Sequence, residues 1–237
     1  DLFAPARAGA ELFKAAFSDT VLGPAANYFF RSLAAGAEIA NRSHLIHDRP
    51  SYGIGEVLVD GVPVAVHEEI ALSMPFGDLV HFRKDCAALQ PKVLLAAPMA
   101  GHFPTLLRNT AQTLLADHDV YITDWKSGRD VPLSQGRFGT DEYIDHLRAF
   151  FEHIGAGVHG MAVCQPCPSM LAATALMAED GSPATPRSLV LMAGPVDTSV
   201  NPTRVNRLAN DHPVEWFAQN LITTVPRRYA GAHRRVY

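Results

Sequence analysis

The sequence predicts an α/β fold: a mostly parallel sheet with antiparallel leading strands, flanked by helices. Three observations carry this. From Lys92 onward, apolar runs of strand length alternate with helical stripes, the pattern of βαβ units and a parallel sheet. Between residues 56 and 82 the apolar residues instead recur with period two, as in half-buried antiparallel strands. Val93-Leu94-Leu95-Ala96-Ala97 is a continuous apolar run of the kind found in a sheet covered on both faces.

Taken in order, residues 1–49 read as a helical N-terminal segment, with Phe13/Phe17 and Tyr28/Phe29 pairs among many alanines. Asp48–Gly55, rich in turn residues, is the boundary, and residues 50–237 form the α/β domain. Val57 and Val59, then Val62–Val66, Ile70–Leu72 and Leu79–Phe82, are strand runs. Asp60-Gly61 between the first two is a hairpin signal, and Pro63 suggests an edge position. Leu106, Leu107, Ala111, Leu114 and Leu115 mark a helix face after Val93–Ala97. Val120–Thr123 is the next strand, and Tyr143, Leu147, Phe150, Phe151 and Ile154 stripe the next helix, with Gly155 as its C-cap. Val158–Val163, Met170–Met177 and Leu189–Ala193 continue as strand, helix, strand. Asn201-Pro202 and His212-Pro213 read as N-cap and first-turn pairs that open two further helices.

Composition removes several function classes. The chain has 237 residues, enough for a full core, and its 48% apolar content excludes disorder for the bulk. A net charge of -4 gives no basic field for nucleic acid, apart from a local pair at Arg227-Arg228. The longest apolar helical stretch, around Tyr28–Ala40, is broken by Arg31 and Glu38, so no transmembrane segment is expected. The start at Asp1, without Met or a signal-peptide pattern, suggests that the natural protein begins earlier. Three cysteines, an odd number, argue against a disulfide framework and for the reducing cytoplasm.

The chemistry concentrates at Cys164. In such sheets reactive groups collect beyond the carboxyl ends of the strands, and the third parallel run delivers Cys164-Gln-Pro-Cys-Pro168 there, directly before a helix. A thiol near a helix N-terminus faces orphan N–H groups that stabilise its thiolate. Ala162-Val-Cys-Gln-Pro166 approximates a nucleophile elbow, in which Ala162 fits and Pro166 departs from the usual small residue. The N–H of Gln165 would then be one oxyanion donor. The N–H of Ala100 or Gly101, after the Val93–Ala97 strand, would be the second; a plain turn glycine explains Gly101 as well. Cys164 and Cys167 also form a C-x-x-C pair of the thiol–disulfide type. Against that reading, several strands and two strand–helix units precede the pair, whereas a thioredoxin-like domain places it early. Two buried cysteines acting as small hydrophobes are the bland alternative. Eleven histidines occur without H-E-x-x-H or a second C-x-x-C, and no Gly-rich phosphate fingerprint is present, so neither metal nor cofactor is expected.

At Pro98-Met-Ala-Gly-His102, Thr105-Leu-Leu-Arg108, Val120–Trp125 and Val163-Cys-Gln-Pro166 the chain resembles the intracellular polyhydroxybutyrate (polyhydroxyalkanoate) depolymerases. Gly194-Pro-Val-Asp197, Glu215-Trp-Phe217, Thr224-Val-Pro226 and Arg234-Arg-Val-Tyr237 extend the resemblance, which runs collinearly over about residues 50–237. The resemblance implies an α/β-hydrolase-like fold and Cys164 as nucleophile, with Cys167 at a position that need not be cysteine. It also implies a cytoplasmic enzyme that degrades poly(3-hydroxybutyrate) granules and their oligomers. The family's triad Asp and His lie downstream of the Arg-Arg-Val-Tyr stretch, so the chain reads as the N-terminal part of such an enzyme, truncated before them. Asp197 is on this view a strand-end turn residue rather than the triad acid. Phe103, Trp125 and Trp216 could touch an apolar polymer, although core packing is the preferred explanation for each. A thioester at Cys164 would be open to a small thiol such as coenzyme A as well as to water. Thiol–disulfide chemistry at Cys164 and Cys167, and a catalytically silent polyester-binding fragment, are the other two functions carried forward.

Overall fold

The computed structural model describes residues 49–99 and 103–236, together with residues 28, 31–33, 35, 36, 38 and 39. By its contacts the chain divides into two units, Asp1–Arg49 and Pro50–Tyr237. In the first, the described residues from Tyr28 to Ile39 are helical; the Phe13/Phe17 pair lies outside the described residues.

The second unit opens on a hairpin. β1 (Glu56–Val59) and β2 (Val62–Ser73) are joined by Asp60 and Gly61 at φ 50° and 78°, the two left-handed residues that a two-residue turn needs to match the strand twist. The closing pair Val59–Val62 is hydrogen-bonded, so the next pair, Leu58–Pro63, is not, and the proline nitrogen faces away from β1. β3 (Gly77–Lys84) pairs with β2 only from Val66 onward, so no neighbour requires a donor from Pro63. The two runs Val62–Val66 and Ile70–Leu72 form one strand, kinked by a register shift between Ile70 and Leu72.

Four parallel strands follow: β4 (Lys92–Ala96), β5 (Asp119–Trp125), β6 (His159–Val163) and β7 (Leu189–Met192). The sheet order is β1-β2-β3-β5-β4-β6-β7, antiparallel from β1 to β5 and parallel from β5 to β7. The fold is α/β, with an antiparallel leading edge on a parallel sheet. A 3-10 turn at Pro104–Leu107 leads into α1 (Arg108–Leu114), which links β4 to β5. α2 (Thr140–Ile154) links β5 to β6, and α3 (Cys167–Glu179) links β6 to β7.

The alternation of side chains along β4 builds two cores. Leu95 and Ala97 join Leu107, Ala111 and Leu115 beneath α1, while Leu94 and Ala96 join the buried stripes of α2 and α3 on the other face. Tyr143, Leu147, Phe150, Phe151 and Ile154 of α2 are all buried. Fully burying a Leu or Phe side chain stabilises by roughly 1.5–3 kcal/mol. Gly155 ends this helix, its N–H donating to Phe151 O at 2.8 Å.

The C-terminal helices start later than the Asn-Pro and His-Pro pairs suggest. α4 (Arg204–Asp211) is capped by Thr203, whose Oγ1 accepts from Asn206 N–H at 3.3 Å while Asn206 Oδ1 accepts from Thr203 N–H at 2.9 Å. This reciprocal box outcompetes Asn201, which sits at φ 48° outside the helix. α5 (Val214–Asn220) has Pro213 itself as N-cap, and His212 instead stacks on Trp216 at 4.1 Å. A small ribbon, β8 (Thr223–Thr224) with β9 (Arg235–Val236), closes the described chain. Among the described residues no helix is long and apolar enough to cross a membrane.

Candidate active site

Connections diverge at the centre of the parallel sheet. From β4 the chain moves to β5 on one side, and from β6 it moves to β7 on the other. Ligand sites in open α/β sheets form where neighbouring connections part in this way, beyond the carboxyl ends of the strands. Here the two ends that meet are those of β4 and β6, and Cys164 is the residue that follows β6.

Cys164 is held in a sharp strand-to-helix turn. Its φ is 64°, a left-handed conformation that costs a non-glycine residue about 1–2 kcal/mol and persists only where the surroundings impose it. The surroundings do so from both sides. Cys164 N–H donates to Met192 O on β7 at 2.8 Å, and Cys164 O accepts from Cys167 N–H at 3.2 Å as α3 begins. Cys164 is exposed, whereas Ala162, two residues earlier, is fully buried.

The close packing expected of a small residue at position 166 is supplied from elsewhere. Pro166 is buried at the N-cap of α3, and Gly194, just after β7, lies against the turn. A Cβ at Gly194 would sit 2.1 Å from Cys167 Cβ and 2.9 Å from Cys164 O, so only glycine lets the two segments meet. Sequence reading did not single out Gly194 for this role; the signal was a glycine at the end of a strand followed by proline.

The two cysteines of the C-x-x-C pair occupy different environments. Cys167 is buried on the first turn of α3, with its S–H 3.4 Å from Ala162 O and 3.7 Å from Met192 O. Burial pushes its thiol pKa up, so it is the less reactive of two free thiols.

Gln165 joins the elbow to the β4 end, its Oε1 accepting from Met99 N–H at 3.1 Å. Ala100 and Gly101, expected to offer the second oxyanion donor, lie outside the described residues. Trp125 is partly buried and packs against the core: its Nε1–H donates to Ala97 O at 3.0 Å and its ring stacks on Tyr143 at 4.4 Å. Phe103 and Trp216 are half-buried. Asp197 is exposed and accepts from the Ser199 N–H and hydroxyl at 2.9 and 2.6 Å, a local turn whose hydrogen bonds hold its carboxyl below the usual range. Two His–Asp pairs occur among the described residues, His67–Asp85 and His81–Asp119, at 2.8 and 2.7 Å. Asp119 begins β5, which the register sets at the opposite end of the strands from Cys164, on the order of 20 Å away along them. Among the described residues there is no group of three or more His, Cys, Asp or Glu side chains able to hold a metal.

A cavity of about 1060 Å³ opens at the same sheet edge, reaching from Met99 and the loop after β5 to the final ribbon. Its far wall is the segment that ends the chain. Gly231 N–H donates to Arg129 O at 2.8 Å, and Arg234 donates to Gly136 O at 2.8 Å and Pro132 O at 2.9 Å. Both Gly194 at the elbow and Arg234 at the cavity fall within residues 193–237. This stretch matches the family model described as PHB de-polymerase C-terminus. Over these residues the chain is similar to the PHB depolymerases.

The PHB depolymerase match falls at the end of this chain and carries the description of a C-terminus. That sits at odds with reading the chain as an N-terminal part. No curated protein matches the chain. Among solved structures, a Staphylococcus aureus protein described as a candidate esterase is similar at 13% identity and a TM-score of 0.43, over 89% of this chain. The chain spans 66% of that protein. Within the matched stretch, Gly194 lies beneath the candidate nucleophile and Arg234 anchors the cavity wall.

Proposed function

We propose that the chain belongs to an ester hydrolase that degrades poly(3-hydroxybutyrate) through Cys164. The observation that carries this is the conformation of Cys164: an exposed thiol at φ 64°, tied to β7 and to the start of α3. A nucleophile elbow requires this geometry, because it lifts the side chain clear of the sheet and aims the next N–H at the reacting oxygen. The PHB depolymerase match over residues 193–237 supports the polyester as substrate. On this reading residues 50–237 form the hydrolase domain and residues 1–49 a helical N-terminal segment. The enzyme works in the cytoplasm on polyester granules and their oligomers.

In the reaction the Cys164 thiol gives its proton to a base as Sγ bonds to the ester carbonyl carbon. The carbonyl oxygen gathers negative charge, held by the N–H of Gln165 and that of Ala100 or Gly101. As the tetrahedral species collapses, the C–O bond to the hydroxyl-bearing fragment breaks and that oxygen takes the proton. Water, or a thiol such as coenzyme A, then attacks the thioester and restores the Cys164 thiol. The base is not His67 or His81, which lie at the wrong end of the sheet; the family places it with its Asp after the Arg234–Tyr237 stretch.

Hydrolysis of a soluble 3-hydroxybutyrate oligomer by wild type, Cys164→Ala and Cys167→Ala tests the assignment. Loss confined to Cys164→Ala is expected. Equal dependence on both cysteines favours the thiol–disulfide reading. Binding to granules without cleavage by wild type favours the silent polyester-binding one.

A further inference from the structure

The cavity beside the elbow has a charge pattern unlike that of a plain apolar channel. Its apolar wall is formed by Phe76 and Phe138, stacked at 4.6 Å, with Met99, Leu133 and Val236. Its polar wall carries cations and no Asp or Glu. Three of these cations are already neutralised from behind. Lys126 pairs with Asp78 at 2.6 Å, Arg129 with Asp130 at 3.2 Å, and Arg137 with Glu142 at 2.6 Å.

Arg234 and Arg235 are not. Neither has a carboxylate partner among the described residues. Arg234 is buried, 8% exposed, with its guanidinium over the Phe76 ring at 4.8 Å and its Nη atoms bonded to carbonyl oxygens of Val131, Pro132 and Gly136. Three of its five N–H donors are spent on these bonds, and Nε has no partner. Arg235 is exposed and donates once, to Ala218 O at 3.2 Å. Two arginines without a counter-ion among the described residues, one of them largely withdrawn from water, are among the residues that line a space large enough for a ligand of drug-like size.

We propose that this cavity is a subsite for the free carboxylate end of a short hydroxyacyl oligomer. The carboxylate is held by Arg234 and Arg235, and the acyl chain lies along Phe76 and Phe138. The inference rests on the hydrolase reading for its choice of ligand, and it adds a specificity: the enzyme reads the acid terminus of its substrate. A single carboxylate on an apolar tail matches two guanidinium groups backed by aromatic rings. The route to the nucleophile is short in the fold, since Met99 lines the cavity and its N–H is bonded to Gln165, next to Cys164.

Calorimetric binding of a linear 3-hydroxybutyrate trimer and of its methyl ester to Cys164→Ala, which cannot turn them over, tests this. The acid is expected to bind about tenfold or more tightly than the ester at low salt. That preference is expected to shrink with added salt. It is also expected to fall in Arg235→Gln, an exposed position whose variant keeps the wild-type circular dichroism. Arg234→Gln, with the buried anchor removed, should lose the preference if it folds. Equal binding of acid and ester, no measurable binding of the acid, or an unchanged preference in folded Arg235→Gln overturns the proposal. Competition by inorganic phosphate as strong as by the trimer overturns the carboxylate assignment. The two readings fail separately. Acid-selective binding without ester cleavage by wild type removes the hydrolase and keeps the subsite; Cys164-dependent cleavage without acid selectivity does the reverse.

Discussion

At the scale of single residues, three free thiols are placed in three different environments. Cys164 is exposed at the elbow, Cys86 is half-buried after β3, and Cys167 is buried under Gly194. Iodoacetamide should therefore label Cys164 first, Cys86 more slowly, and Cys167 only once the chain unfolds, as peptide mass spectrometry after timed quenching would show. Labelling of Cys164 only after denaturation would mean that the turn is closed to substrates. Gly194→Ala places a methyl group against Cys167 and should destabilise the fold by about 1–3 kcal/mol, read as a lower urea midpoint at unchanged slope. Cys164 was legible in the sequence because a strand, a cysteine and a helix follow one another locally. Gly194 was not legible, because its role is set by a contact across thirty residues of chain. The unpaired state of Arg234 was equally hidden, since an arginine's partners are decided by the fold and not by its neighbours in sequence.

At the scale of elements, α2 shows how far periodicity can be trusted. Its apolar stripe was read residue by residue and is buried as read, so Leu147→Ala should cost about 2–5 kcal/mol in a denaturant titration. The same stripe buries a histidine, three residues after Tyr143 and four before Phe150. His146 donates from Nδ1 to Glu142 O at 2.6 Å, and its ring sits among Phe76, Phe138, Trp125 and Phe150. Burial holds its pKa below the ordinary histidine value, with Lys126 acting in the same direction and Asp145 and Glu142 in the opposite one. The unfolded chain therefore binds this proton more readily than the folded one. Stability is full above the unfolded pKa of about 6.5 and is lost as pH falls from there toward the lower folded value. Melting temperature should drop across that window in wild type and drop less in His146→Phe. An identical drop in both would assign the pH dependence to other groups. The start of α4 was misread at Asn201-Pro202 because a local propensity was weighed without the Thr203–Asn206 box that forms only when both side chains turn back on the helix.

At the scale of the whole molecule, the alternation of strand and helix runs fixed the α/β class, but not the sheet order. That order follows from which strand edges find partners, and it places the ends of β4 and β6 side by side. This single adjacency brings Met99, Gln165 and Cys164 to one edge of the sheet, together with the loop after β5 that carries Lys126 and Arg129. Net charge also acts at this scale. At -4, the cations at the cavity are a local feature of a mildly acidic protein, so duplex DNA should elute at physiological salt in a retention assay. Attack of Cys164 on an ester carbonyl leaves an acyl group on the protein, and trapping that group tests it. The chain is mixed with an activated short-chain ester such as p-nitrophenyl butyrate, quenched in acid within the first turnover, digested and sequenced by mass spectrometry. The butyryl group is expected as a thioester on the Cys164 peptide, removed by hydroxylamine and absent from Cys164→Ala. A folded wild-type chain that carries the acyl group on another residue, or an equal yield of label in Cys164→Ala, would contradict it.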